Sequence, residues 1–112
     1  MKKFIKMMAL TAAAIGMSAG AAVAEPLKVG FLYLTTPGDH GWTYAHELAR
    51  QEVQAHFGDK VETTFVENVP EGPDAERVVR ELARQGNKVI FGTSFGYMDP
   101  MLKVSKDFPD VK

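Results

Sequence analysis

The sequence predicts an α/β protein built on a doubly wound parallel sheet. Three observations carry that expectation: short apolar runs that read as covered strands, longer segments with apolar residues at helical spacing, and regular alternation of the two. Alternation with short connections implies right-handed βαβ units. In such sheets ligands bind beyond the carboxyl ends of the strands.

The first element follows a leader. "MKKFIK" is a short basic head, "MMALTAAAIGMSAGAAV" is uncharged and apolar, and Ala22, Val23 and Ala24 supply small residues for a signal peptidase. Residues 1–24 are therefore expected to be a cleaved signal peptide. A permanent anchor is the alternative, but a segment rich in Ala, Gly and Ser inserts poorly. Loss of Lys2, Lys3 and Lys6 leaves ten basic residues against fourteen acidic ones, a net charge of −4 on residues 25–112. That balance argues against nucleic acid and anionic membranes, which need a basic face. With no cysteine there is no disulfide, no thiolate metal site and no lipid attachment at a new N-terminus. A soluble periplasmic or secreted protein is expected. "DFPDVK" reads as the run-in to another strand, and residues 25–112 as the front part of a longer protein.

Within that part, Leu27 to Leu34 is apolar almost throughout, bounded by Pro26 and a Thr-Thr-Pro-Gly turn, and predicts a strand. Trp42, Ala45, Ala49, Val53 and Phe57 then follow helical spacing, with Gly58 as a stop. Val61 to Val66 is β-branched enough for a second strand. Asp74 to Gln85 places Ala75, Val78, Val79, Leu82 and Ala83 on one helix face, with Glu76–Arg80 and Arg77–Glu81 as outer ion pairs. Lys88 to Gly92 predicts a third, buried strand. Asp99 is expected to cap a further helix, with Pro100 in its first turn and Pro109 beyond its end. Three loops thus reach the ligand side: Thr35–Gly41, Glu67–Pro73 and Thr93–Met98.

These loops narrow the chemistry. The glycines after the first strand do not form G-x-G-x-x-G, and no phosphate loop occurs. The first and third loops hold no Lys or Arg, Asp39 lies in one and Asp99 borders the other, so a neutral ligand is favoured. His40, His46 and His56 lack metal-ligand spacing, and no metal or cofactor is expected. "GTSFG" fits G-x-S-x-G around Ser94, which keeps an exported α/β hydrolase as an alternative, although no base or orienting acid accompanies it. Recognition is the better reading. Helix-start amides after Asp39 and Met98 carry partial positive charge, Asp39 and Ser94 offer hydrogen bonds, and Trp42 and Phe95 offer flat faces. Trp42 beside Gly41 reads as a ligand wall, and Phe95 as wall or core. Tyr44, Tyr97 and Glu67 read as rim.

"KVGFLYLTTPGDHGWTYAHE", "VENVPEGPDAERVVRELARQGNKVIFGTSFGYMDP" and "KDFPDVK" resemble the N-terminal lobe of the BMP (basic membrane protein) family of ABC-transporter substrate-binding proteins, which includes purine-nucleoside receptors. The resemblance implies a type I periplasmic-binding-protein fold, with two α/β lobes closing on a ligand, and no enzymatic activity. It implies a purine base or nucleoside as ligand and an inner-membrane ABC permease as partner. Carried onto this chain, it marks Asp39, Gly41, Trp42, Ser94, Phe95 and Gly96 as ligand-binding. Many relatives carry an N-terminal cysteine that is absent here. "DHGWTY" also replaces the Asp-x-Ser-Phe-Asn stretch of better-known nucleoside binders, which makes a free base such as adenine a candidate. A ligand-sensing domain of a membrane receptor would use the same pocket.

Overall fold

In the computed structural model, residues 20–112 are described, and most of the expected signal peptide lies outside them. Residues 20–26 are exposed and without regular structure. Among the described residues no helix is long and apolar enough to cross a membrane. The elements run β1 (Leu27–Leu32), α1 (Trp42–Phe57), β2 (Val61–Val66), α2 (Pro73–Arg84), β3 (Val89–Gly92) and α3 (Met98–Ser105). The three strands are parallel in the order β2-β1-β3.

That order decides where the helices lie. The chain moves outward from β1 to β2, then returns past β1 to β3. Right-handed crossovers in opposite directions put their helices on opposite faces. The strand residues obey the same division, because side chains alternate along a strand. Val29, Phe31 and Tyr33 form one buried cluster, while Leu32 and Ile90 join Val79, Leu82, Tyr97 and Val104 in the other. α2 buries Ala75, Val79, Leu82 and Ala83, the expected face, at roughly 1.5–3 kcal/mol for each Val or Leu removed from water. Of its outer ion pairs, Glu76–Arg80 forms, whereas Arg77 turns to Asp74 instead of Glu81.

Two expectations are corrected. α1 has the predicted span, but its apolar stripe is not its buried face: Thr43 and Glu47 are buried, whereas Trp42, Ala45, Ala49 and Phe57 are exposed. The inversion is possible because every buried polar group there is paired. The Glu47 carboxylate accepts hydrogen bonds from Tyr33, Arg50 and Gln51, and Arg50 also donates to Thr63 and lies over the Phe65 ring. Asp99 does not cap α3. A 3-10 turn at Phe95–Tyr97 leads into that helix, which starts at Met98 with no side-chain cap, leaving Asp99 inside the first turn. α3 ends at Ser105, short of Phe108. The run-in reading of "DFPDVK" agrees with the backbone. Lys112 donates to the Lys88 carbonyl at 2.8 Å and accepts from the Ile90 amide at 2.7 Å, which is how a parallel strand begins beside β3.

Candidate ligand site

A sheet of order β2-β1-β3 has its switch point between β1 and β3, where connections leave in opposite directions and open a crevice. Trp42 and Thr93 meet there. Gly41 has φ 91°, a left-handed conformation costly for other residues, and its carbonyl accepts from the Ala45 amide to start α1. This places Trp42 at the first position of the helix. The indole N–H donates to the Thr93 carbonyl at 2.6 Å. Thr93 is itself fixed to β1, its hydroxyl donating to the Leu32 carbonyl at 2.6 Å. His46, one turn along, lies against the indole with ring centres 4.8 Å apart. So held, Trp42 is still 65 % exposed, an open face on a fixed side chain.

The second loop joins this frame through residues the sequence reading did not single out. Asn68 stands at φ 55°, and its amide accepts from the Thr36 N–H and donates to the Thr36 hydroxyl. The Val69 amide donates to the Tyr33 carbonyl, and the Tyr97 hydroxyl donates to the Val69 carbonyl at 2.7 Å. Glu71 then reaches the third loop. Its Oε1 accepts from the Ser94 hydroxyl at 2.5 Å and from the Gly96 amide at 3.1 Å. A Cβ on Gly96 would overlap the Glu71 carboxylate, so a larger residue there would displace that side chain from its present seat. The available signal was an acid between Pro70 and Gly72 in a loop already assigned to the rim.

The remaining expected residues are placed as follows. Phe95 is 87 % exposed at the rim, which removes its core reading. Tyr97 is not rim but wholly buried; burial, with the Glu71 carboxylate nearby, pushes its hydroxyl up to about 12. Tyr44 is half-buried and Glu67 exposed. Asp39 pairs with His40 at 2.5 Å on an exposed turn and does not join Ser94 or Gly96. No side chain caps α1, leaving its first amides to solvent or a ligand. Across the three loops the charged side chains are Asp39, Glu67 and Glu71, with no Lys or Arg. An anionic group would meet repulsion with no fixed cation to offset it.

Ser94 does not have the surroundings of a nucleophile. Its backbone is extended (φ −144°, ψ 149°) rather than bent into an elbow, and its hydroxyl is bonded to a carboxylate. His46 contacts the Trp42 carbonyl, His40 pairs with Asp39 and His56 packs on Phe57.

The family of PnrA-like ABC transporter substrate-binding proteins, Bmp, matches residues 27–112. The chain belongs to the Bmp family. Among curated relatives, a purine-binding protein of Brucella abortus is 58 % identical over 106 residues, which cover 95 % of this chain and 30 % of that protein. A protein of Haloferax volcanii, named as a candidate ABC transporter glucose-binding protein, is 42 % identical over 81 % of this chain and 23 % of its own length. The chain thus spans less than a third of these relatives. A solved ABC transporter solute-binding protein of Conexibacter woesei superposes with a TM-score of 0.68 at 24 % identity, covering 76 % of this chain and 27 % of that one, and so shares the fold.

Proposed function

We propose that this chain is part of the first lobe of an exported solute-binding protein that captures a purine-type ligand and delivers it to an inner-membrane ABC permease. Residues 1–24 act as the cleaved signal, and residues 25–112 contribute one wall of a cleft closed by a second lobe. The reading rests on one observation: an indole with an open face, fixed by its N–H to the end of β3 at the switch point. A flat heteroaromatic ring stacks on such a face, typically gaining ~1–3 kcal/mol. Loops that carry only acidic charge favour an uncharged ligand with N–H donors over a phosphorylated one.

In this reading Trp42 and Phe95 are ligand walls, Ser94 and the free amides after Gly41 supply polar contacts, and Gly96 leaves room for the Glu71 carboxylate against the third loop. Asp39 stands at the entrance and meets the ligand only if the second lobe closes over it. No bond is made or broken; lobe closure signals occupancy. Calorimetry of the complete protein should show binding of adenine or a purine nucleoside. Trp42→Ala should weaken it by ~1–3 kcal/mol, roughly five- to 150-fold in Kd. Unchanged affinity in that variant removes Trp42 from the site. Binding of glucose in place of purines overturns the ligand class while leaving the transport role.

A further inference from the structure

Glu71 is placed to do more than hold two loops together. Both donors from the third loop, the Ser94 hydroxyl and the Gly96 amide, converge on Oε1. Oε2 accepts no hydrogen bond from a described residue, and the side chain is exposed at the rim. One oxygen is therefore anchored, and the other, lying beside Gly96, keeps its lone pairs free. A carboxylate held this way is an acceptor of fixed direction, with no basic residue in the three loops to neutralise it.

We propose that Glu71 determines ligand specificity by accepting an N–H from the bound heterocycle, selecting amino-bearing purines over oxo-bearing ones. The proposal rests on the purine reading above and deepens it. An exocyclic amino group facing Oε2 makes a charge-assisted hydrogen bond, whereas an oxo group there meets the carboxylate lone pairs and leaves both acceptors unpaired. Discrimination of this kind is large because the wrong ligand is penalised by unpaired groups as well as by a lost bond.

The test is Glu71→Gln in the complete protein, with adenine and hypoxanthine titrated by calorimetry into wild type and variant. The amide oxygen can take over the anchoring bonds from Ser94 and Gly96, while the amide nitrogen turns the other atom from acceptor into donor. Wild type should prefer adenine, and the adenine-to-hypoxanthine affinity ratio should fall at least about tenfold in the variant. A melting temperature close to wild type would show that the loops stay braced. If the melting temperature drops, the ratio remains the deciding quantity, because loss of bracing weakens both ligands alike. An unchanged ratio, or a wild type that prefers hypoxanthine, overturns the role of Glu71 and leaves the purine reading standing. A wild type that binds neither base nor their nucleosides overturns both.

Discussion

At Trp42 two properties of one side chain are separable. The ring supplies the face, and the N–H bond to the Thr93 carbonyl fixes that face relative to β3. Trp42→Phe keeps an aromatic surface and removes the anchor. It should therefore bind the purine more weakly than wild type but more tightly than Trp42→Ala, with a loss near the ~0.5–1.5 kcal/mol of one hydrogen bond. Titrations of the three proteins side by side check this; a Phe variant as weak as the Ala variant would mean that stacking adds nothing. The open position of Trp42 was legible in the sequence because the residue follows a Gly turn at a strand end. Glu71 was not. Its role depends on meeting Ser94 and Gly96, 23 and 25 residues further along, and that meeting is set by how three strands align. Gly96 was marked by resemblance, and the reason for it, the space a Cβ would take from Glu71, exists only in three dimensions. Tyr97 was misplaced as rim because a tyrosine in a loop gives no sign in sequence that its hydroxyl will find a buried carbonyl.

Among the elements, α2 and α1 show when periodicity can be trusted. In α2 the apolar stripe and the buried face coincide, since burying those side chains is the largest favourable term open to the helix. In α1 the apolar stripe is interrupted by small residues, Ala45 and Ala49, which gain little by burial, and a paired carboxylate at Glu47 competes successfully for the interior. Hydrogen bonds from Arg50, assisted by Gln51 and Tyr33 against the opposing effect of burial, hold Glu47 down at about 2. Burial, reinforced by Glu47, pushes the Tyr33 phenol up. Because the folded value lies below the ordinary 4.5, Glu47 stabilises the fold fully above about pH 4.5, and that contribution is lost as the pH falls towards 2. Glu47→Gln should therefore destabilise the protein at pH 7 by about 3 kcal/mol, partly by leaving Arg50 without its countercharge. Denaturant unfolding of wild type and variant at pH 7 and pH 2.5 measures it, with the difference expected to shrink at the lower pH. A difference of equal size at both would show that shape rather than charge holds α1 in place. No such argument was open to Asp99: a cap residue needs a free helix start, and the 3-10 turn from Phe95 occupies it.

Across the described residues, alternation of strands and helices made the parallel sheet legible, but the apolar runs did not reveal which surfaces those residues cover for themselves. Two apolar hollows border β3, and one of them adjoins the Trp42 rim through His46 and Thr93. One, of about 330 Å³, lies between α2 and α3 and is lined by Val79, Ile90, Met101, Val104 and Phe108. The other runs along the α1 face of the sheet past Phe31, Val53 and Phe91. Phe91 was expected to be buried and is 50 % exposed, stacked on Phe31 at 5.0 Å between ring centres. β3 also has a free edge, on which Lys112 makes the opening hydrogen bonds of a parallel pairing. An apolar strand with an open edge and hollows on both faces is a template for another strand, its own or a neighbour's. Residues 25–112 produced alone should therefore bind a hydrophobic dye strongly and associate as concentration rises, even with α2 packed normally. Sedimentation and dye fluorescence across a concentration series check this. A monodisperse monomer with a sharp, cooperative thermal transition would mean that the aromatic pair of Phe31 and Phe91 tolerates water well enough to leave β3 independent of any further strand.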